Sequence, residues 1–198
     1  MMNVTITAHM LTPTIGHVGP LDGALAWACA QRAMERGEEL EPISDDHAPD
    51  FPLPLEKWEQ DGVWGWKVSA PIFDTSHYSA TEIRRRPATG AMALFTKAKE
   101  HHSGLGPTKA GNTTLSTTYH RKISWHATIT NEDELRSLLG IVTNLGARHR
   151  NGFGKVAEWE ITPGPADGWK QRPLPDPHGQ PMRTRAPYWH PTERTPCA

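Results

Sequence analysis

The apolar periodicity of this chain switches between two and 3.6 residues and back again, twice, and that order restricts the fold more than any single motif does. The first alternating stretch sets Val4, Ile6, Ala8 and Met10 on one side and Thr5, Thr7 and His9 on the other, as a strand with one buried and one polar face would. A turn rich in proline and glycine follows, from Pro13 to Pro20. Asp22 then reads as the N-cap of a helix running to about Arg36, with Gly37 just past its end. The alanines of that helix, Ala24, Ala26, Ala28, Ala30 and Ala33, suit close packing on a sheet. Alternation resumes from Val63 to Ala70, where Trp64, Trp66 and Val68 oppose Lys67 and Ser69. It returns from Lys122 to Ile129, where Ile123, Trp125, Ala127 and Ile129 oppose Ser124, His126 and Thr128. Asn131 followed by Glu134 is a capping-box variant. It opens a helix to about Asn144, with Leu135, Leu138, Leu139 and Val142 at i, i+3, i+4 and i+7. A last strand turns Ala157, Trp159 and Ile161 inward and Glu158 and Glu160 outward.

Strand, helix, strand, insertion, strand, helix, strand is the βαββαβ order of an α+β, ferredoxin-like (RRM-like) domain, here over residues 1–162. With 198 residues, 36% of them apolar, the chain is long enough for one such core and leaves a surplus for an insertion and a tail. The insertion, 72–121, is about fifty residues long, too long for a passive connection. It holds Arg84-Arg85-Arg86, a helix-like piece from Ala91 to Glu100, and a stretch rich in glycine and threonine from Ser103 to Thr118 that reads as a mobile hairpin tip. The C-terminal segment, 163–198, has prolines every few residues with Trp169, Tyr188 and Trp189 as anchors. That composition suits an extended tail lying along its own domain in preference to a partner. Glu38 to Asp61 is acidic and dotted with prolines, a surface connection better suited to covering a protein than RNA.

The polar face of the expected sheet carries Thr5, Thr7, His9, Lys67, Ser124, His126, Glu158 and Glu160 and no aromatic residue. An RNA-recognition motif stacks bases on aromatics there, so any RNA belongs on loops. One loop stands out. Gly146-Ala147-Arg148-His149-Arg150-Asn151-Gly152-Phe153-Gly154-Lys155 lies between the second helix and the last strand. Gly152 and Gly154 permit positive φ on both sides of Phe153 and would bring bare N–H groups close to an anion. Arg148, Arg150 and Lys155 add charge, and His149 can hydrogen-bond or stack. Phe153 reads first as a core anchor and second as a stacking group. A nucleotide-binding P-loop leads from strand to helix and carries Ser or Thr after its lysine. Here the order is reversed and Val156 follows. The loop is either a grip for an RNA backbone or a turn with solvated arginines.

Net charge is −1, yet its distribution is uneven. From Met1 to Pro71 acidic residues outnumber basic ones 11 to 4. From Ile72 to Trp125, Arg84, Arg85, Arg86, Lys97, Lys99, Lys109, Arg121 and Lys122 face only Asp74, Glu82 and Glu100. Such a chain suits nucleic acid on one side and a protein partner on the other. Cys29 and Cys197 make neither a disulfide framework nor a zinc site. With no long apolar run and no signal peptide, the expectation is a cytoplasmic protein away from membranes, with no cofactor and no metal.

On these residues the chain resembles the RAMP superfamily of CRISPR proteins. Leu145 to Ile161 (LGARHRNGFGKVAEWEI) resembles the superfamily's glycine-rich loop and the strand after it. Gly19 to Ala30 (GPLDGALAWACA) and Phe51 to Ala70 (FPLPLEKWEQDGVWGWKVSA) resemble, more particularly, the small capping subunit of type IV effector complexes. The resemblance implies a non-catalytic subunit with three tasks: holding the repeat-derived 5′ handle of the CRISPR RNA, ending the filament of backbone subunits, and contacting the large subunit. Carried over residue by residue, the RNA site is Gly146, Arg148, His149, Arg150, Asn151, Gly152, Phe153, Gly154 and Lys155. By position alone, the thumb-like insertion adds Arg84, Arg85, Arg86, Lys97, Lys109, Tyr119, His120 and Arg121, and the strand start next to it adds Lys122.

Two other readings stay open. Some relatives of this fold cut the repeat RNA without metal, which requires a base, an acid and a cation at one phosphate. Tyr119, His120 and Lys122 are close neighbours in the chain, and His9, His17, His101, His102 and His126 are further candidates. The chain has 11 histidines, so chance clusters are expected. A metal reading of His101, His102 and His120 lacks a carboxylate or cysteine at ligand spacing. The remaining possibility is a scaffold whose insertion touches target DNA.

Overall fold

Strand β1, Met2–Met10, sits at the centre because its apolar set is the most regular: Val4, Ile6, Ala8 and Met10 are at most 5% exposed. This computed structural model describes residues 1–85 and 110–198, so Arg86, Lys97, Lys109, His101, His102 and the helix-like piece from Ala91 to Glu100 lie outside the described residues. β1 pairs antiparallel with β8, Lys122–Ile129, on one side and with β9, Val156–Pro163, on the other. Ile6 stands opposite both Trp125 and Ile161. β5, Ile72–Phe73, adds an edge beside β8, giving an α+β chain whose main sheet has the order β5-β8-β1-β9. On its polar face Thr7 and Ser124 share a hydrogen bond of 2.9 Å, as do His9 and Glu160 at 2.9 Å, and Thr5 and His126 pair at 3.0 Å. In β9 the inward place expected for Ala157 falls to Val156. His9 pairs with Glu158 but Met10 pairs with Val156, so Ala157 is the extra, exposed residue of a bulge.

The strand expected from Val63 to Ala70 is broken in two. Its first half, β4 (Val63–Trp66), pairs back onto β3 (Lys57–Gln60) around Asp61 and Gly62, whose φ values of 52° and 75° make the tight turn that an Asp-Gly pair favours. The main sheet is rejoined only by a bridge from Val68 to Ala127 and then by β5. Trp66 and Val68 are buried as expected, and Trp64 packs edge-on against Trp66 at 5.5 Å. The stem of the insertion is a ribbon of β6 (His77–Arg85) and β7 (Gly111–Tyr119). The stretch expected as a hairpin tip is therefore strand from Gly111 onward. β7 also pairs with the two-residue strand β2, Thr14–Ile15.

Helix α1 spans Leu21–Glu35 and α2 spans Glu132–Ile141. The Asn131 side chain accepts the Glu134 amide at 3.1 Å, the cap its sequence predicts. α2 stops at Ile141, short of Asn144, with Leu135, Leu138, Leu139 and Val142 in the core. In α1 the expected cap is displaced. Pro20 precedes the first turn, and Asp22 is inside the helix with its carboxylate buried. Gly37, at φ 71°, ends the helix as expected. Among the described residues no helix is long and apolar enough to cross a membrane.

The two helices meet through Arg32 and Glu134 at 2.5 Å. The hydrogen bond and charge of Arg32 hold the Glu134 carboxyl below the usual glutamate range. A depressed folded-state pKa contributes stability above the unfolded pKa and loses it as pH falls through the folded value. Glu134→Gln should therefore destabilise the fold near neutral pH, by no more than roughly 1 kcal/mol in this partly exposed pair, and lower its melting temperature accordingly. Melting curves of the two proteins should converge in acid.

Residues 163–198 lie along their own domain as a folded layer. Gly168–Lys170 forms a 3-10 turn against β8, and β10 (Pro175–Arg183) pairs with β11 (Arg194–Cys197). Arginines do most of the anchoring. Arg172 donates to the carbonyls of Trp66 (3.0 Å), Val68 (3.1 Å) and Thr184 (2.6 Å) and to the Tyr188 hydroxyl (3.1 Å). That hydroxyl in turn donates to Asp22 at 2.6 Å. Burial pushes the Asp22 carboxyl up, against the charge of Arg172 and the hydrogen bond from Tyr188. Arg185 pairs with Asp50 at 2.8 Å and Glu193 at 2.5 Å, while Trp189, one of the expected aromatic anchors, is 65% exposed.

Candidate nucleic-acid interface

The glycine-rich loop runs from Val142 to β9 and is closed at its neck by a 2.8 Å hydrogen bond from the Leu145 amide to the Gly154 carbonyl. A second, from the Asn144 side chain to the Phe153 carbonyl, measures 2.9 Å. Glycine is required twice by close approach as well as by φ. A Cβ at Gly146 would stand 2.7 Å from the Ile15 carbonyl oxygen, and one at Gly154 would stand 1.8 Å from that of Leu145. Between them Arg148 takes a left-handed φ of 61° and starts a 3-10 turn over His149–Asn151. Arg148, His149, Arg150, Asn151, Gly152 and Lys155 are exposed.

Three expectations about this loop change. The glycine amides are not bare: Gly152 donates to His149 at 2.9 Å and Gly154 to Pro13 at 2.7 Å, so cationic side chains carry what grip the loop offers. The His149 ring is engaged within the loop through Nε2 and the Gly146 carbonyl at 2.8 Å. Phe153 is partly buried and stands outside the main apolar cluster, so it does not anchor the core.

A short segment ties the loop to the ribbon. The Thr12 hydroxyl accepts from the Lys155 amide at 2.8 Å, the Pro13 carbonyl from Gly154 at 2.7 Å and the Ile15 carbonyl from Ala147 at 2.7 Å. The same segment pairs with β7, Thr14 opposite Thr118 and Ile15 opposite Thr117. Residues Thr12 to Ile15 therefore act as a strut with the loop on one side and the ribbon on the other. Nothing in their sequence announces this, because the role exists only through pairing with distant segments.

The base of the ribbon divides the four residues expected there. Arg121 and Lys122 are exposed cations at the turn into β8. His120 is buried, stacked on Phe73 at 4.2 Å with its Nδ1 against the Thr75 carbonyl at 2.7 Å, and Tyr119 points its hydroxyl at the Met10 carbonyl at 3.4 Å. Farther out, Arg84 is exposed but engaged by Glu82 at 2.5 Å, and the backbone of Arg85 pairs with Gly111. Of the other histidines, His9 and His126 share the polar sheet face. His9 follows Thr5, the partner of His126, by four residues along β1, which separates them by roughly 13 Å. His17 lines an apolar cavity beside α1. Among the described residues the expected acid–base set is thus spread over the sheet face, the ribbon base and the cavity.

That cavity, about 560 Å³, lies between α1 and the C-terminal segment, and its far end reaches Gly146 and His149 of the loop. It is absent from the sequence-based expectations, although α1 carries the signal in a run of apolar residues from Gly23 to Ala30.

Among the described residues a four-stranded antiparallel sheet and two helices carry an exposed cationic loop tied to a β-ribbon, and nearly the whole length of this α+β chain matches a family of CRISPR type IV proteins. Residues 4–198 match the family described as CRISPR type IV associated protein Csf3, and the chain belongs to that family. No curated protein matches it.

Proposed function

We propose that this protein is the RNA-binding capping subunit of a type IV CRISPR effector ribonucleoprotein and acts in defence against foreign DNA. It holds the repeat-derived 5′ handle on the glycine-rich loop and the ribbon base, without catalysis. It ends the filament of backbone subunits and adjoins the large subunit. The observation that carries this reading is the strut at Thr12 to Ile15, which joins the cations Arg148, Arg150 and Lys155 to the ribbon that leads to Arg121 and Lys122. A strand order of β5-β8-β1-β9 supports the ferredoxin-like RAMP assignment, with β5 and the Val68 bridge in the place of the domain's second strand.

The direct test mixes the purified chain with end-labelled repeat RNA in EDTA and compares native with denaturing gels. A shifted, intact band is expected. A discrete cut at one position, lost on changing Tyr119 or His120, would replace this reading with an endoribonuclease. Binding should weaken steeply with salt, since phosphate contacts release counterions. Arg148→Ala with Arg150→Ala should flatten the slope of log affinity against log salt by about 1.4, the value for two contacts to a single strand. An unchanged slope would remove both residues from the interface.

A further inference from the structure

Helix α1 has no polar outer face over its central turns. All eight residues from Gly23 to Ala30 are apolar. The core takes Leu21, Leu25, Ala28 and Cys29, which leaves a second apolar stripe at Gly23, Ala26, Trp27, Ala30 and Met34, spaced i, i+3, i+4, i+7 and i+11. A helix apolar on all sides is ordinarily buried on all sides. Here Trp27 is 47% and Met34 50% exposed. Gly23, Ala26, Trp27 and Ala30 of this stripe line one side of the 560 Å³ groove. Gly23, Ala26 and Ala30 make a shallow floor with little side chain. Trp27, Ile43 and Trp189 stand around it, 47%, 53% and 65% exposed. Contiguous exposed apolar surface of this kind marks an interaction site.

Charge selects the occupant. The connection that supplies Ile43 also carries Glu38, Glu39, Glu41, Asp45 and Asp46, all exposed. Beside these carboxylates Arg36 pairs with Glu38 at 3.8 Å, and the His47 ring hydrogen-bonds Glu41 at 3.1 Å. A phosphate backbone would be repelled at such a rim, whereas lysines and arginines flanking an apolar stripe would be drawn to it. The small-residue floor admits close approach of a helix, with Trp27 and Trp189 as aromatic walls of the sort that dominate binding energy.

We propose that the groove between α1 and Trp189 docks a partner protein through an amphipathic helix with an apolar stripe and basic flanks. This surface adjoins the cationic loop only at its far end, at Gly146 and His149, and the proposal concerns the other end, between α1, Ile43 and Trp189, whatever the loop binds.

The test uses the full chain co-expressed with the other type IV CRISPR proteins of its host and the CRISPR RNA. Ala30→Arg places a cation on the groove floor. Recovery of the variant with its partner proteins should fall about tenfold, the effect of losing one hot spot, while its melting temperature and its affinity for repeat RNA stay at the wild-type values. Undiminished recovery would overturn the proposal. So would a parallel loss of RNA affinity in a folded variant, which would make the groove an RNA subsite. Should Ala30→Arg unfold the chain, a photo-crosslinking benzoylphenylalanine at position 27 decides. A cross-link to a lysine- or arginine-rich helical segment of another protein is expected; a cross-link to RNA, to a second copy of this chain, or to nothing overturns the proposal. The gel shift on repeat RNA reports separately on the loop, so either reading can fail alone.

Discussion

Replacing Arg172 with alanine is expected to destabilise the folded chain by roughly 3–5 kcal/mol, read as the shift of a urea unfolding curve. Arg172 is 9% exposed and its guanidinium serves three backbone carbonyls from two separate parts of the chain, Trp66 and Val68 on one side and Thr184 on the other. Without it those carbonyls remain buried and lose a charged donor, which is dearer than exchanging both partners for apolar groups. Asp22 makes the effect larger. Burial already raises its pKa, and the positive charge of Arg172 opposes that rise more strongly than any hydrogen bond the carboxyl receives. In the variant the carboxyl moves further up. A group with a raised folded-state pKa contributes stability that is complete below its unfolded pKa and is lost as pH rises through the folded value. The deficit of Arg172→Ala should accordingly be smallest in acid and grow toward neutral pH. Asp22→Asn in the same background should remove that growth. A small deficit that ignores pH would mean that the C-terminal layer is held by something other than this network.

The pH signature matters because the network is hidden in the sequence. Strands β1 and β8 and helix α2 are legible there, since each buries one face and the burial imposes its own period on Val4 to Met10, Ile123 to Ile129 and Leu135 to Val142. The second strand is not, because Trp64, Trp66 and Val68 alternate whether they pair with a sheet or with a hairpin arm. The deciding signal is Asp61-Gly62, the turn pair lying between β3 and β4. Asp22 has the look of a helix cap, as an aspartate at the start of an apolar run usually does. Its true partner, Tyr188, stands 166 residues away. Arginine in a proline-rich segment likewise reads as solvated. Arg172, Arg183 and Arg185 are buried only because backbone carbonyls and the carboxylates of Asp50 and Glu193 surround them, an environment assembled by tertiary packing. The same limit applies to the loop. Its glycines and cations are visible, but the glycine amides turn inward to Pro13 and His149, which no local pattern records.

Gly154→Ala tests that inward-facing geometry and should have the larger effect of any single change in the loop. At φ 69° an alanine is strained by about 1 kcal/mol before any contact is considered. Its Cβ would also fall 1.8 Å from the Leu145 carbonyl oxygen, a backbone atom that cannot rotate away. The chain must then shift, and two hydrogen bonds shift with it: Leu145 to Gly154 at 2.8 Å, which closes the neck, and Gly154 to Pro13 at 2.7 Å, which ties the loop to the strut. The expected destabilisation is roughly 2–4 kcal/mol in urea unfolding. Repeat-RNA affinity should fall by more than about tenfold at a temperature where the variant is still folded. Gly152→Ala is the matched control. Its φ of 84° imposes the same backbone strain, but the added Cβ meets nothing within 4 Å, so only about 1 kcal/mol is expected. If Gly154→Ala loses stability as predicted and binds RNA like the wild type, the loop is structural and the cations must act from the ribbon base, at Arg121 and Lys122. If both substitutions weaken RNA binding equally, the strut contributes nothing that backbone strain does not, and the coupling of loop to ribbon would have to be abandoned.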